Sequence, residues 1–452
     1  MDSLGMPEGM AEVEGLISKI DECFSLGFSR LGSEQLEGLA SVARVFSGTP
    51  LGERMKDAVE GLARAEFREE HFVSLAAARQ SLQGAQYDAL LDQAASKGVG
   101  FTRAAVNAPK KAEPIPEIAT WMESSRQWLV EVALAGFMQV EQETVLPFVA
   151  TLERLQQREE AARLAMLLSG VVHELFDCMP IGNMVHVPIR RWSDLWARAM
   201  ISALDLPAYP ESEEVSGALH LTGVDLRRHS HAMSAVFYGV LLPDDGAARH
   251  VRLTASGYKV DVLDDDELWQ VLDETVFDAL IEAYTRAKTL NIKGMRLLGS
   301  GDLIWDSSRA KIAAKSDVMS VAAQHINAPD TVLCDAMPLD RHPVQVAVPV
   351  YMGECEVKTS DDGALMLSSD GFSVELDAER GFMGGDLTKQ FKGVDDCVGL
   401  LRYDGRWLFQ PLVLSSKGKL TRQGQSATLK IKSSSSIGIL KERASMLLRK
   451  KS

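Results

Sequence analysis

The stretch Leu400–Leu414, LLRYDGRWLFQPLVL, has the pattern of a β-hairpin. Asp404 and Gly405 supply the turn, because an Asp-Gly pair adopts the positive φ angles that tight hairpins need. Leu401 and Tyr403 enter the turn, and Trp407 and Phe409 leave it on one face. Pro411 is expected at an edge or a bulge, since proline cannot donate a hydrogen bond to the strand ladder. We expect the hairpin to be core scaffold, because its aromatic residues suit an apolar interior better than a ligand site.

Other segments of the second half also read as strands. ALHLTGVDL, HAMSAVFYGVLL and ARHVRLTASG lie between residues 207 and 258, and VQVAVPVYMGECEVK, ALMLSS and FSVELD follow residue 343. Residues 265–290 have the apolar stripe of an inserted helix. After it, GMRLLGSGDLIWD predicts a second hairpin, with its bend at Gly299–Gly301. Two hairpins of this kind favour a small barrel or a sandwich.

The first half reads as helices throughout, with apolar residues three and four apart in residues 9–96 and again in residues 118–205. Three prolines and two glycines mark a linker between them, and no fixed repeat period is evident. The predicted fold class is therefore α+β and multidomain: an N-terminal helical hairpin array and a C-terminal, mainly antiparallel β half with an inserted helix. The predicted domains are a helical domain (1–96), a linker (97–117), a second helical block (118–206), an α/β region (207–325), a β-rich barrel or sandwich (326–430) and a basic tail (431–452).

Composition limits the class of protein. The 452 residues carry a net charge of −15, which argues against coating by nucleic acid but leaves room for a local basic patch. The five cysteines are scattered and never form a C-x-x-C pair, so we expect free thiols rather than a disulfide framework or a zinc cluster. The N-terminus lacks the pattern of a signal peptide, and no apolar run approaches the length of a membrane span. We therefore expect a cytoplasmic protein without a cofactor.

The segment VVHELFD partly matches a zincin helix, which needs histidines at positions i and i+4 to face one metal ion. His173 holds the first position, but Asp177 stands where the second histidine should be, and no third ligand is evident. A polar pair on a helix surface explains the same residues, so a metal-dependent hydrolase stays a minor alternative.

The segment RRHSH places Arg227, Arg228, His229 and His231 in a turn between two predicted strands. The two histidines share a face if the segment is extended, and with His220 or His250 they could form a metal site or an anion pocket. An exposed polar connection explains the segment equally well.

The C-terminus is the clearest charge feature. From Lys417 to Ser452 there are ten Lys and Arg residues against Glu442 alone. Such a tail could dock on an acidic partner, on nucleic acid or on the acidic body of the chain itself. The candidate residues for binding a partner or an anion are Lys417, Lys419, Arg422, Lys430, Lys432, Arg449, Lys450 and Lys451.

Three segments carry a family resemblance: FSLGFSRLGSEQLEGLASVARVFSGTPLGERMKDAVEGLARAEF, LTGVDLRRHSHAMSAVFYGVLL and DGRWLFQPLVL. They resemble parts of uncharacterised bacterial proteins that are associated with MoxR-type AAA ATPases, von Willebrand factor A proteins and SWIM zinc-finger proteins in shared gene clusters. This chain lacks the C-x-C…C-x-H zinc motif of the SWIM proteins. The resemblance implies a companion of an AAA ATPase or von Willebrand factor A system, and it implies no catalytic residues.

These observations favour a non-enzymatic adaptor or scaffold that binds partner proteins, with an AAA ATPase or a von Willebrand factor A protein as the expected partner. A module that binds nucleic acid through the basic tail is the first alternative. Its binding would weaken steeply with salt, because phosphate contacts release counterions. An unrecognised metal-dependent hydrolase is the second alternative.

Overall fold

The computed structural model describes residues 2–103, 115–179, 187–205, 212–228, 232–258, 272, 276–333, 338–361, 363–369, 372–380 and 387–423. They form two compact units. One contains residues 7–89 and 108–210, and the other contains residues 1–6, 90–107 and 211–452. The predicted fold class is confirmed, because the first unit is helical and the second is built on antiparallel and mixed sheets. The two helical stretches share one hydrophobic core, and the predicted α/β and β-rich ranges fall within one unit.

The described part of the helical unit contains eight α-helices. Short apolar repeats at helical spacing bury one face of most of them, as the sequence predicts. The helices are α1 (Met10–Leu26), α2 (Ser33–Val45), α3 (Pro50–Ala63), α4 (Glu69–Ser96), α5 (Pro116–Ala135), α6 (Gln142–Gln156), α7 (Ala162–Cys178) and α8 (Ile189–Ser202). The last residues of α4, from Leu90, belong to the second unit.

One arrangement occurs twice in the helical unit. A helix ends at a glycine with positive φ, a short 3₁₀-helix follows, and a second helix begins; this describes α1–α2 around Gly27 and α5–α6 around Gly136. The two glycines lie against each other, since a Cβ atom on Gly136 would lie 2.3 Å from the backbone nitrogen of Gly27. The phenylalanines that follow them, Phe28 and Phe137, are both buried. No fixed period is evident in the sequence because the two copies share little beyond the Gly-Phe pair.

The first sheet of the β unit contains β2 to β9, in the order β2-β9-β5-β4-β3-β6-β7 with β8 also on β6. Its strands are β2 (Thr102–Arg103), β3 (Ser212–Arg228), β4 (Ala232–Pro243), β5 (Arg249–Tyr258), β6 (Lys288–Leu298), β7 (Leu303–Ile304), β8 (Ala310–Lys315) and β9 (Val332–Leu333). The predicted strands before residue 258 and the predicted bend at Gly299–Gly301 are confirmed.

Five of these strands close on themselves. A parallel bridge between Arg252 and Asp302 joins β7 back to β5, so the order becomes β3-β4-β5-β7-β6-β3. Helix α9 (Asp278–Thr285) lies between β5 and β6 along the chain and packs its Leu280 and Tyr284 into the barrel core. This is the Greek-key order of the five-stranded OB-fold. A fold of this kind does not define a function by itself.

The helix predicted over residues 265–290 is described only at Leu272 and from Val276 onward. The structure begins α9 at Asp278 and ends it at Thr285, and β6 already starts at Lys288. The prediction was therefore wrong for the last residues, because Ala287, with a φ of 49°, reverses the chain into the strand. Residues 259–271 and 273–275 lie outside the described residues.

The second sheet contains the remaining strands, in the order β10-β14-β15-β13-β12-β11, with β1 paired to β13 and β16 paired to β15. They are β1 (Asp2–Ser3), β10 (Val348–Met352), β11 (Glu356–Thr359), β12 (Leu365–Ser369), β13 (Phe372–Leu376), β14 (Asp396–Tyr403), β15 (Trp407–Ser416) and β16 (Lys419–Arg422). Two short helices, α10 (Val318–His325) and α11 (Leu387–Gln390), accompany the sheets. None of the helices in the described ranges is long and apolar enough to cross a membrane.

The hairpin Leu400–Leu414 is formed by β14 and β15, as predicted. Gly405 has a φ of 67° at the turn. The predicted position of Pro411 is also confirmed: the register shifts between Val398 and Gly399, so that β15 bulges at Leu412 beside the proline. The aromatic residues of the hairpin are buried, and Trp407 donates from Nε1 to Gln93 Oε1 over 2.8 Å. The hairpin is therefore part of the core.

The hairpin also joins the two sheets. Its bulged residue Leu412 fills the space left by Gly223 on β3, where a Cβ atom would lie 2.5 Å from Leu412 Cβ. An apolar cluster surrounds this contact; its buried members are Val236, Tyr238, Val240, Ala322, Ile326, Val398, Leu400, Leu412 and Val413. The outer face of β4, which OB-folds use for ligands, is thus largely covered by the second sheet.

Candidate anion-binding groove

A groove of about 630 Å³ lies on the outer face of the barrel, where β3, β6 and β8 are side by side. The register explains its orientation. Ala218, Asn291 and Lys311 stand opposite one another across the three strands, and all of them line the groove. Their neighbours along the strands, such as Leu219 and Leu290, point into the barrel core. The alternation of side chains along each strand therefore places the polar set outside.

A β-bulge shapes one end of the groove. The pairing of β3 with β6 shifts between Val215 and Gly217, and Ser216 lies within the shift. Its hydroxyl accepts a hydrogen bond of 2.9 Å from the backbone N–H of Gly294, which has a φ of 61°. A side chain at Gly217 would place its Cβ 2.2 Å from the carbonyl oxygen of Leu242, so glycine is required there. Bulges bend a strand and re-aim its side chains.

Positive charge is concentrated on the two strands that line the groove. The sequences of β6, KTLNIKGMRLL, and β8, AKIAAK, contain five Lys and Arg residues and no Asp or Glu. Lys288 and Lys315 stand directly opposite each other in the register. Like charges in that position destabilise a sheet, but these two lysines lie outside the groove lining.

The three cations nearest the groove differ in their partners. Arg309 is held in place, because it donates from Nη1 to Glu214 Oε1 at 3.2 Å and to the carbonyl of Gly294, and its Nε lies 3.3 Å from Asp306. Lys293 and Lys311 are exposed, and neither has an ion pair within the described part of the chain. The two ammonium groups are therefore available to a ligand.

The remaining groups of the groove suit an oxyanion. Ser216 and Asn291 add a hydroxyl and an amide, which can donate hydrogen bonds to carboxylate or phosphate oxygens. The Ser308 hydroxyl already donates to Asp306 Oδ1 over 2.6 Å. Asp244 lines the same groove and limits its positive potential. The described lining contains no aromatic side chain, which is what single-stranded nucleic acids stack on. The groove therefore fits small anionic groups better than nucleobases.

The zincin-like segment does not form a site in the structure. His173 is exposed on α7, and its Nδ1 lies 2.7 Å from the carbonyl oxygen of Ser169. Asp177 is also exposed one turn further on. Their neighbour Glu174 accepts hydrogen bonds from Arg191 Nε at 2.7 Å and from Trp192 Nε1 at 3.2 Å. Within the described ranges, no group of three or more His, Cys, Asp or Glu side chains could hold a metal ion.

The RRHSH segment is only partly described. Arg227 and Arg228 end strand β3, and His229 and His231 lie outside the described residues. Arg227 donates from Nε to Asp225 Oδ2 over 3.0 Å, so its guanidinium belongs to the network between the sheets. His220 and His250 lie across β4 from one another, because both pair with Val240.

The candidate basic residues of the C-terminus are also only partly described. Lys417 and Lys419 are exposed around the turn between β15 and β16. Arg422 differs from them: it is 4% exposed, donates to the carbonyl of Tyr284, and stacks its guanidinium 5.4 Å from the centre of that ring. Lys430, Lys432, Arg449, Lys450 and Lys451 lie outside the described residues.

The sequence analysis missed the groove, although one signal was present. The five cations of β6 and β8 fall within residues 288–315, where no Glu occurs. The predicted helix ends at residue 290 and contains only Lys288 of these five cations, so the sequence pattern did not relate the others to one another. Only the strand register brings Lys293 and Lys311 to one face.

No protein-family model matches the chain, and a comparison with curated proteins finds no match.

Proposed function

We propose that this protein is a non-enzymatic adaptor whose basic groove binds an acidic segment of a partner protein. The observation that carries the proposal is a pair of exposed lysines, Lys293 and Lys311, which have no ion pair among the residues that the structure describes and which lie in a groove with hydroxyl and amide groups. Complementary charge speeds encounter and selects the partner. An AAA ATPase or a von Willebrand factor A protein remains the expected partner, and the cytoplasm the expected compartment.

An acidic protein segment fits this surface better than nucleic acid does. The chain as a whole carries a net charge of −15, which repels a long polyanion outside the local basic surface. The groove offers no described ring for base stacking, and the strand face that OB-folds use for oligonucleotides is covered by the second sheet. A short carboxylate-rich segment needs only the local cations and donors.

The first experiment measures binding of a fluorescent peptide of alternating Glu and Gly by anisotropy at low salt. The full chain should bind it, and affinity should fall as salt rises, because screening weakens contacts between exposed charges. The double variant Lys293→Glu and Lys311→Glu should lose about tenfold or more in affinity, which corresponds to roughly 1.4 kcal/mol or more.

A matched control carries the same charge change elsewhere. Lys56 is exposed on α3 and Lys392 is exposed near the second sheet, so Lys56→Glu with Lys392→Glu changes the net charge equally and leaves the groove intact. Equal weakening by both double variants would mean that net charge alone drives binding, and the proposal would be rejected. Preference for a single-stranded oligonucleotide over the peptide, at the same salt, would instead assign the groove to nucleic acid.

A further inference from the structure

Two thiols outside the groove lie in contact with each other. The Sγ atoms of Cys355 and Cys397 are 3.5 Å apart, although the residues are 42 positions apart in sequence. Cys397 is on β14 and stands opposite Met352 of β10 in the register, and Cys355 follows the corner after β10. The backbone N–H of Cys355 donates to the carbonyl of Asp395 over 2.9 Å, which holds the corner against the start of β14.

We propose that Cys355 and Cys397 are a site of reversible oxidation, at which a small neutral hydroperoxide converts the two thiols into a disulfide. A disulfide needs its sulfur atoms about 2.05 Å apart. Strand pairing with β10 holds the backbone of Cys397, and the hydrogen bond to Asp395 holds that of Cys355, so movements of the two side chains close the present separation. Two cysteines whose backbone segments were not held beside each other would need backbone movement before a disulfide could form.

The two cysteines have different roles in this reaction. Cys355 is half-buried and open to a small oxidant, whereas Cys397 is fully buried. Burial raises the pKa of the Cys397 thiol well above its usual range, so it is the poorer first nucleophile. The Cys355 sulfur therefore attacks the oxidant first, and Cys397 then attacks the oxidised Cys355.

The reaction balances with one hydroperoxide per disulfide. The Cys355 sulfur attacks the O–O bond, which breaks, and the sulfenic acid of Cys355 forms while the alcohol leaves with the thiol proton; with hydrogen peroxide the leaving molecule is water. The Cys397 sulfur then attacks the Cys355 sulfur and the S–O bond breaks. The departing hydroxide takes the Cys397 proton and leaves as water. The two thiols together lose two electrons, and the hydroperoxide gains them.

The acidic residues around the two cysteines determine which class of oxidant reacts with them. Glu354 and Glu356 flank Cys355, and Asp395 and Asp396 precede Cys397. These carboxylates repel anionic oxidants such as glutathione disulfide, whereas hydrogen peroxide carries no charge. A neutral peroxide should therefore react faster at this pair than a charged disulfide does.

The test exposes the folded full-length chain to hydrogen peroxide or to glutathione disulfide, blocks remaining thiols with an alkylating reagent, and maps cross-linked peptides by mass spectrometry. Of the five thiols in the sequence, two should be lost together with hydrogen peroxide, and the linked peptides should contain residues 355 and 397. Dithiothreitol should restore both. Cys355→Ser and Cys397→Ser should each abolish the link, and Cys178→Ser, at a half-buried thiol on α7, should not change it.

Circular dichroism of each variant shows whether it is folded. If a variant folds poorly, the linked peptides mapped in the wild-type chain still test the proposal. Sulfinic or sulfonic acid on Cys355 without a link would overturn the proposal, because it would mean that Cys397 does not reach the oxidised sulfur. Links that join Cys355 to other cysteines would overturn it as well. Equal or faster linking by glutathione disulfide would contradict the choice of a neutral hydroperoxide.

Discussion

Arg402 donates a hydrogen bond from Nη2 to Oδ2 of Asp225 over 2.7 Å, although the two residues are 177 positions apart in the sequence. Gln410 completes the contact: its Nε2 donates to Asp225 Oδ1 at 2.9 Å, and its Oε1 accepts from Arg402 Nε at 2.6 Å. All three side chains are buried. Arg402 and Gln410 of the hairpin thus both contact the carboxylate of Asp225 on the barrel. Each of the three buried side chains has a hydrogen bond to the other two.

Replacing Asp225 with Ala should strongly destabilise the β unit. The change leaves the buried guanidinium of Arg402 without its counter-charge, which typically costs about 3–5 kcal/mol. Chemical denaturation followed by tryptophan fluorescence measures the loss, because Trp407 lies in the same hairpin. The control is Glu66→Ala, which removes an exposed ion pair with Arg64 and should change stability little. Comparable losses in the two variants would contradict the role given to Asp225.

The same network predicts a dependence of stability on pH. Burial alone would raise the pKa of Asp225, but the charge of Arg402 and the amide of Gln410 outweigh it and hold that pKa below its ordinary value. A carboxyl with a lowered pKa in the folded state adds stability above its ordinary pKa, and this is lost as pH falls through the folded pKa. Denaturation of Asp225→Asn should therefore vary less with pH below about 4 than that of the wild type.

The buried side chain of His250 predicts a second dependence of stability on pH, closer to neutral pH. Burial, with a smaller contribution from the charge of His325, lowers the pKa of His250 to about 4. The unfolded chain binds a proton near pH 6.5 and the folded chain does not, so stability should fall as pH drops from 6.5 towards 4. The loss attributable to His250 at pH 5 is roughly 2 kcal/mol.

The check compares urea denaturation at pH 7.5 and pH 5 for the wild type and for His250→Gln. The variant should show a smaller difference between the two pH values. His220 remains in it and retains part of the effect, since burial also lowers its pKa. An unchanged difference in the variant would assign the dependence to other groups.

The paired glycines of the helical unit predict two equal effects. Gly27→Ala would bring a Cβ atom within 2.5 Å of the Ala135 carbonyl, and Gly136→Ala would bring one within 2.3 Å of the Gly27 nitrogen. Each change also places alanine at a positive φ, so each should cost about 1–3 kcal/mol. Gly170→Ala on α7 is the control, since no atom lies within 4 Å of its Cβ position. It should leave thermal unfolding unchanged or raise its midpoint.

Gly223 tests the contact between the two sheets. Gly223→Ala should destabilise the β unit by about 1–3 kcal/mol, because its new Cβ atom would overlap Leu412. Gly299→Ala, in the bend before β7, has open space around its Cβ position and should be neutral in the same denaturation experiment. A neutral Gly223→Ala would mean that β15 can move away from the barrel without cost.

Local patterns predicted much of the secondary structure. Asp404-Gly405 identified the hairpin turn, and Pro411 identified the bulge. Each of these signals depends on residues a few positions apart, where backbone preferences and side-chain periodicity act directly. The helix predicted through residue 290 failed because strand pairing with β3 overrides the local helical pattern there.

The sequence by itself determined the fold class, the hairpin that links the sheets, and the acidic charge that surrounds one basic surface. Only the tertiary structure decided which distant residues meet: Asp225 with Arg402, Lys293 with Lys311, and Cys355 with Cys397. The physical reason is register. A shift of one residue between strands would turn those of these side chains that lie on strands to the opposite face of the sheet, and the register is set by the packing of many side chains at once.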